Sequence, residues 1–229
     1  MQQGIMQRPA VPQRSQKRRF HSSNLMKATV GALVALAAVC TWYASHTQVL
    51  DLSSAKEMHE SGIYTQWAKG EVMVLIRHAE RCDRSHNACL GDPAGITVAG
   101  SKVAADVGKG LARLGLENAE LLSSPKVRTQ QTARFIFGRP ILTQTWLGQC
   151  NKGFADAALS HKNSGHNMVL ITHSGCIDQM ERHFKVAGGE RFSAYASALF
   201  ISVADKGKAR ILGQMNASAW HYFYSRAGS

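Results

Sequence analysis

The sequence predicts an α/β domain, a three-layer sandwich with a mainly parallel central sheet. Residues 71–76 and 167–172 are short, continuously apolar and rich in β-branched side chains, a pattern typical of strands that are buried on both faces. Amphipathic segments alternate with such runs between residues 71 and 184. Ligands of these sheets bind beyond the carboxyl ends of the strands, so the residues that follow each strand are the first candidates for chemistry.

The helices are predicted from apolar spacing and capping residues. Apolar side chains recur at roughly helical spacing over 51–69, with Gly62 as a weak point. Segment 97–114 has an apolar face and Thr97 as a candidate N-cap. Further helices are predicted at 127–137, which Gly138 and Pro140 should end, at 155–161 and at 176–184.

The strands are predicted from short apolar runs between polar or glycine-rich segments. They lie at 71–76, 119–122, 141–147 and 167–172. Two later runs, 197–203 and 209–215, predict a terminal β-hairpin that turns through 205–207. The aromatic segment 220–224 is left without an assignment.

The N-terminal region has the pattern of an export signal. Residues 1–27 contain six basic residues and no acid, and an apolar run follows over 28–45. A buried core helix is disfavoured because this run has no polar face. Small residues at 38 and 40 slightly favour cleavage, whereas Trp42 and Tyr43 suit the interfacial belt of a retained anchor that contacts the inner membrane. The predicted organisation is a basic region, a signal peptide or anchor, and an exported domain over 50–229.

The net charge of +12 does not indicate nucleic-acid binding. Half of this excess belongs to residues 1–27, since the remaining chain has 21 basic and 15 acidic residues. The basic tail lacks the interleaved aromatic side chains of a base-stacking surface, and a topogenic signal explains it better. The charge that remains is spread through the chain and favours an anionic substrate.

The cysteines fit an oxidising compartment. Cys40 lies in the apolar run, and Cys82, Cys89, Cys150 and Cys176 form an even set that allows three pairings. The first two bracket a short polar loop and can close it, and the last two each follow a predicted strand and can meet across neighbouring strand ends. Four free thiols are the alternative. There is no C-x-x-C spacing, and no metal site is predicted.

Basic and imidazole side chains follow three of the predicted strands. They are Arg77, His78 and Arg81 after the first strand, Ser124 and Arg128 after the second, and His173 after the fourth. The guanidinium group is a planar, permanently charged fork suited to phosphate oxygens. A neutral imidazole nitrogen is a competent nucleophile toward phosphorus, and helix N-termini add backbone donors for an anion.

These segments resemble the motifs of the histidine phosphatase superfamily, also called phosphoglycerate-mutase-like. The matching stretches are Arg77-His78-Ala79, where the family usually has glycine third, Ile96-Thr97-Val98-Ala99-Gly100, Ser124 to Arg128 with Thr132-Ala133, and His173-Ser174-Gly175. The resemblance covers about residues 70–215. Within it, segments 77–85, 89–90, 95–98, 149–150 and 172–173 look like the lipopolysaccharide core heptose(II)-phosphate phosphatase group, whose members are bacterial and periplasmic.

The resemblance implies a phosphoglycerate-mutase-like fold and a phosphatase that works through a covalent phosphohistidine. His78 would be the nucleophile, and Arg77, Arg128 and His173 would bind the phosphoryl oxygens. Arg81 and Ser124 would join them in binding the substrate, a phosphorylated small molecule or glycolipid, and no metal or other cofactor is implied. Water then attacks the phosphohistidine. The expected location is the periplasm.

The general acid is the open assignment. Many relatives use a glutamate after the second motif, but residues 146–154 contain no acid, and Asp156 comes only beyond them. Glu80 and Asp83 are the candidates beside the nucleophile, with the orientation of an arginine as the other role for Glu80. Three further functions stay open. They are another phosphatase of the superfamily, such as a protein phosphohistidine phosphatase, a mutase, which export disfavours, and a non-catalytic membrane-anchored module that binds anions.

Overall fold

The computed structural model describes residues 22–204 and 209–225, with side chains over 26–204 and 209–221. A six-stranded sheet lies in the unit formed by residues 45–229. Its strands are β1 Val72–Arg77, β2 Ala119–Ser123, β3 Leu142–Thr143, β4 Asn167–Thr172, β5 Ala198–Ser202 and β6 Arg210–Met215. The order is β3-β2-β4-β1-β5-β6. The first four strands in this order are parallel, and β5 and β6 form the predicted antiparallel hairpin. The predicted turn, 205–207, lies outside the described residues.

The helices lie close to their predicted positions. They are α1 Ser22–Ser45, α2 Ala55–Glu60, α3 Ile63–Ala68, α4 Val98–Leu114, α5 Val127–Phe137, α6 Phe154–Ser160, α7 Ser174–His183 and α8 Ala217–Ser225. Thr97 caps α4, since its side chain accepts a hydrogen bond from the Gly100 amide. Gly138, at φ 68°, ends α5 in the left-handed conformation that glycine adopts without steric cost.

Two predicted elements are wrong in extent. The single helix over 51–69 is two short helices, α2 and α3, because Gly62 takes φ 79° between them. The strand predicted over 141–147 pairs with β2 only at Leu142 and Thr143, at the edge of the sheet. The chain then turns into a 3-10 helix that buries Leu147.

Alternate side chains of β1 fill two separate cores, which confirms the three-layer arrangement. Val72, Val74 and Ile76 pack on the face that carries α4, α5 and α8. Met73 and Leu75 pack on the opposite face, which carries α6 and α7. Arg77 continues the alternation of the second set, so its side chain is directed to the α7 face.

Helix α8 accounts for part of the unassigned aromatic tail. Trp220 is fully buried, and a Cβ added to Gly110 of α4 would lie only 2.2 Å from Trp220 Cε3. The ring centroids of Phe200 and Trp220 are 6.2 Å apart. Gly110 therefore lets the indole pack directly on α4 and close the core on that side.

Helix α1 belongs to the separate unit of residues 1–44. Over Met26–Ser45 it has 20 residues with a mean hydropathy of 1.6, and none of that window is buried. It is therefore long and apolar enough to cross a membrane, a property that signal sequences share. The signal peptide or anchor over 28–45 stays a prediction, and residues 1–21 of the basic region lie outside the described residues.

Candidate active site

The carboxyl ends of β1, β2 and β4 bring the motif residues to one edge of the sheet. The His78 amide donates to the Thr172 carbonyl at 3.0 Å, and the Ser124 amide donates to the Ile171 carbonyl at 2.9 Å. His173 follows β4 directly as the residue before α7. The parallel register thus places His78, Ser124 and His173 side by side, as the strand ends predicted.

His78 is held as a neutral imidazole with a defined tautomer. It is 3% exposed, and its Nδ1 lies 2.8 Å from the Ala79 carbonyl oxygen. A carbonyl oxygen only accepts, so Nδ1 carries the proton and Nε2 keeps its lone pair. Burial lowers the pKa of His78 to about 3, and the positive charges of Arg128 and Arg77 act in the same direction, against the hydrogen bond to Ala79. At neutral pH Nε2 is therefore available as a nucleophile.

His173 has the complementary tautomer. Its Nε2 lies 3.0 Å from Ser124 Oγ, and its Nδ1 lies 3.4 Å from Arg128 Nη2. A guanidinium group only donates, so Nδ1 is the acceptor and Nε2–H donates to Ser124. Burial lowers the pKa of His173 to about 4, with Arg128 as the next cause. The His173 and His78 rings are 5.4 Å apart between centroids, so both neutral imidazoles share one pocket.

Three arginines surround the two imidazoles. Arg77 Nη1 donates to the Ser193 carbonyl at 2.6 Å, and its Cζ lies 3.9 Å from the centre of the Tyr195 ring. Burial lowers the pKa of Arg77 and of Arg128. The Nε atoms of both are buried without a hydrogen-bond partner among the described residues. Guanidinium groups that lack full protein compensation favour an anion between them.

The third arginine, Arg81, is oriented by Asp83. Its Nε donates to Asp83 Oδ1 at 2.7 Å, and Nη2 contacts the other carboxylate oxygen. This hydrogen bond raises the pKa of Arg81 and lowers the pKa of Asp83. Asp83 therefore has the arginine-orienting role that the sequence left open for Glu80.

Glu80 holds the loop that follows the nucleophile. Its carboxylate accepts hydrogen bonds from Thr97 Oγ1 at 2.7 Å, Asn87 Nδ2 at 2.9 Å and Ser85 Oγ at 3.0 Å. The Thr97 and Asn87 hydrogen bonds lower the pKa of Glu80 most. Its carboxylate is thus stabilised in the ionised form, which argues against Glu80 as a proton donor. Asp156, on α6, has a side chain that is 77% exposed and lies 3.6 Å from His183.

The remaining motif residues support the pocket through the backbone. Thr132 Oγ1 accepts from the Ala79 amide at 2.9 Å and donates to the Arg128 carbonyl at 2.7 Å, so it ties the nucleophile loop to α5. A Cβ on Gly100 would lie 3.0 Å from the Glu80 amide nitrogen, which explains the glycine there. Ala79 does not have a positive φ, so alanine fits where the superfamily usually has glycine.

Sequence reasoning missed the segment before β5. Tyr195 lies under the Arg77 guanidinium, and its ring centroid is 5.7 Å from that of His78. Ala196 follows in the left-handed region at φ 56°, is fully buried, and donates its amide to the His78 carbonyl at 3.4 Å. No motif marked this segment. The only available signal was its position directly before a strand that neighbours β1.

Two disulfides flank the pocket, Cys82–Cys89 and Cys150–Cys176. This is one of the three pairings that the sequence allowed. The first closes the loop after His78. The second joins the segment after the 3-10 helix to the first turn of α7, where a Cβ on Gly175 would lie 3.3 Å from the Cys150 Cβ. Cys40 is the free cysteine of the described residues, and it is exposed.

Curated relatives identify the family. The chain is 37% identical over 147 residues to the lipopolysaccharide core heptose(II)-phosphate phosphatase of Salmonella typhi. The aligned segment covers 62% of this chain and 71% of the relative. It is also 37% identical to the phosphatase of the same name from Salmonella arizonae, over 58% of this chain and 67% of the relative. The chain belongs to this family of phosphatases.

Solved structures agree with the fold of this phosphatase. The protein histidine phosphatase SixA complexed with tungstate aligns with a TM-score of 0.52 and 15% identity, over 64% of this chain and 97% of that chain. The likeness confirms the predicted phosphoglycerate-mutase-like fold. No model in a scan of protein families matches the chain.

Proposed function

We propose that this phosphatase hydrolyses a sugar phosphomonoester through a phosphohistidine on His78, and that its substrate is the heptose phosphate of the lipopolysaccharide core. The observation that carries the proposal is a neutral, buried His78 with Nδ1 protonated, in a pocket with His173 and the guanidinium groups of Arg77 and Arg128. This arrangement joins a nucleophile to fixed positive charge, the two requirements of phosphoryl transfer.

In the first step, the lone pair of His78 Nε2 attacks phosphorus while the bond from phosphorus to the ester oxygen breaks. Arg77, Arg128 and Arg81 stabilise the charge on the phosphoryl oxygens. Ser124, which accepts from His173 Nε2–H, donates its own hydroxyl proton to one of them, so His173 binds the phosphoryl group by positioning Ser124 and Arg128. The imidazole becomes positively charged as the new N–P bond forms. The Ala79 carbonyl stabilises that charge through its hydrogen bond with Nδ1–H.

In the second step, water attacks phosphorus, the N–P electron pair returns to His78 Nε2 as that bond breaks, the extra proton of the attacking water passes to solvent, and phosphate leaves. The same arginines stabilise the second transition state, and His78 returns to its neutral form. The chemistry so described needs no metal, since the guanidinium groups supply the positive charge.

The proton for the leaving sugar oxygen comes from solvent water in this proposal. Hydrogen bonds lower the pKa of Glu80 and of Asp83, which favours the ionised form of both and argues against either as the donor. Of the two, Asp83 is the more accessible, since its side chain is 40% exposed, although its pairing with Arg81 favours the ionised form. An Asp83→Asn variant with unchanged kcat would assign the proton to water.

The proposed location is the bacterial periplasm. The relatives are named for the lipopolysaccharide core, which indicates the cell envelope. Helix α1 suits an export signal or an inner-membrane anchor, and the two disulfides suit an oxidising compartment. The substrate would then be a glycolipid or its soluble core fragment.

Phosphate release from phosphorylated lipopolysaccharide core and from an aryl phosphate tests the proposal, with the full chain in detergent and no added metal. We expect turnover on both substrates and its loss in His78→Ala, by at least about a thousandfold. Denaturation by alkali during turnover should trap radiolabelled phosphate on the chain, and none on His78→Ala. Full activity in that variant would overturn the mechanism.

Two further outcomes separate the other functions. Preference for a phosphohistidine protein over the phosphorylated core would make the chain a protein phosphohistidine phosphatase. Tungstate binding without turnover on any of these substrates, in a folded sample with both disulfides formed, would make it an anion-binding module.

A further inference from the structure

The cleft beside Arg77 contains groups that phosphoryl transfer does not use. It lies between α7 and the segment before β5. Its volume of about 370 Å³ is within the usual range of small-molecule sites, about 300–1,000 Å³. Arg77 lines this cleft and also stacks on Tyr195 beside His78. Ser174, the residue after His173, lines it as well. The cleft therefore adjoins the place where the phosphoryl group would bind.

Glu181 places a carboxyl group with one unsatisfied oxygen in the wall of this cleft. It is 1% exposed, and its Oε1 has no hydrogen-bond partner among the described residues. Burial raises the pKa of Glu181 to about 7, with Asp178 acting in the same direction and Arg191 against it. A carboxyl group that is partly protonated at neutral pH both donates and accepts hydrogen bonds, as a hydroxyl group of a ligand requires.

The rim of the cleft combines an exposed aromatic ring with a fixed ion pair. Phe192 is 70% exposed, the largest exposed fraction among the large apolar side chains described. Next to it, Arg191 Nε forms an ion pair with Asp178 Oδ1 at 3.0 Å, and Asp178 Oδ2 accepts a hydrogen bond from Arg182 Nε at 2.7 Å. An apolar ring face beside immobilised polar groups matches a ligand that has an apolar face and an edge of hydroxyl groups, as a sugar ring does.

We propose that this cleft is the leaving-group subsite and that it binds the sugar ring that carries the phosphate. Phe192 stacks on the ring, and Glu181 hydrogen-bonds its hydroxyl groups, with the Asp178–Arg191 pair at the edge. The assignment rests on the proposed hydrolysis of a sugar phosphate and names the residues that would choose the sugar. Phe192 and Glu181 are thus specificity residues that take no part in the transfer of the phosphoryl group.

Kinetics on two substrates of different size test the subsite. Phosphorylated lipopolysaccharide core fills the cleft, whereas the acetyl group of acetyl phosphate is too small to reach it. For the full chain in detergent, we expect Phe192→Ala to raise the KM for the core about 3–10-fold and to leave kcat/KM for acetyl phosphate within about twofold. The control is Phe135→Ala, which removes a partly exposed phenyl ring from α5. It should change neither substrate.

Two substitutions of Glu181 separate hydrogen bonding from packing. Glu181→Gln keeps a donor and an acceptor and should leave the KM for the core within about threefold, whereas Glu181→Leu should raise it about tenfold or more. Acetyl phosphate should be hydrolysed equally by both. If Phe192→Ala and Glu181→Leu leave the KM for the core unchanged, the subsite is wrong and the proposed function stands.

Binding without turnover separates the two proposals. The probe is the dephosphorylated core oligosaccharide, titrated by calorimetry into the His78→Ala chain and into the same chain with Phe192→Ala. Weaker binding in the double variant supports the subsite even if the wild type hydrolyses no sugar phosphate. Equal binding, or none to either variant, overturns it even if turnover is normal.

Discussion

The pocket around His78 and the cleft around Glu181 share Arg77 but differ in the ionisable group that burial neutralises, which is a base in the pocket and an acid in the cleft. In the pocket, burial lowers the pKa of His78 to about 3 and of His173 to about 4, so two potential cations are neutral. In the cleft, burial raises the pKa of Glu181 to about 7, so a potential anion is partly protonated at neutral pH. Burial removes charge in both regions, and the arginines keep theirs, because their ordinary pKa is too high for partial burial to neutralise them.

The difference in hydrogen bonding separates the tasks of the two regions. His78 and His173 each have a defined hydrogen-bond partner that fixes one tautomer. Phosphoryl transfer needs such fixed geometry, because the reacting atoms must stay aligned. Glu181 has a buried oxygen with no such partner among the described residues. That oxygen is suited to a ligand that arrives with its own donor.

The largest expected effect comes from the guanidinium charge of the pocket. Arg128→Ala should lower kcat/KM about 100–1,000-fold on every phosphate ester, because the variant loses a donor to the phosphoryl oxygens and the partner of His173 Nδ1. Arg134→Ala, on the same helix, is the matched control and should lower it less than about threefold. Steady-state phosphate release measures both. Equal losses in the two variants would mean that α5, and not Arg128, is responsible.

Loss of the disulfide between Cys150 and Cys176 is expected to cost about 3 kcal/mol of the free energy of unfolding. The bond spans 26 residues, and the cost of closing a loop grows with its length. Cys82–Cys89 spans 7 residues, so its removal should cost roughly 1 kcal/mol less. Urea unfolding of the two double alanine variants measures both values. A larger loss from the shorter loop would contradict the loop-length argument.

Acid should destabilise the domain through the pocket histidines. The pKa of His78 falls from 6.5 to about 3 on folding, so its stabilisation is fully present above pH 6.5 and is lost as the pH falls toward 3. Between pH 6.5 and pH 5 the loss is roughly 2 kcal/mol, from about 1.4 kcal/mol per pH unit. Urea unfolding at the two pH values measures it. The His78→Asn variant should lose less stability over this interval, and an equal loss would place the effect elsewhere.

The cleft should respond to pH in the opposite direction and more weakly. The pKa of Glu181 rises from 4.5 to about 7 on folding, so its stabilisation is fully present below pH 4.5 and is lost as the pH rises toward 7. Glu181→Gln should therefore raise the free energy of unfolding by up to roughly 3 kcal/mol at pH 8 and by roughly 1 kcal/mol at pH 5, from about 1.4 kcal/mol per unit of pKa shift. Exposed Glu190→Gln is the control and should show no such trend. A pH-independent gain in the first variant would mean that Glu181 does not titrate on unfolding.

Much of the sheet followed from local patterns, and the exceptions have a common cause. Strand β4 and helix α5 have the bounds that apolar runs and the glycine after the helix predicted. Strand β3 was predicted too long because residues 141–147 are apolar for two reasons. Leu142 pairs at the edge of the sheet, and Leu147 fills the core below it. Hydrophobicity alone does not distinguish pairing from burial.

The sequence by itself determined the succession of strands and helices along the chain and the motif residues that follow the strands. Both depend on the spacing of apolar and motif residues over short stretches, which can be read directly from the sequence. Only the tertiary structure decided the tautomers of His78 and His173, the placement of Tyr195 under Arg77, and the burial of Glu181 beside the pocket. These properties depend on partners distant along the chain and on the removal of water, and no local pattern specifies either.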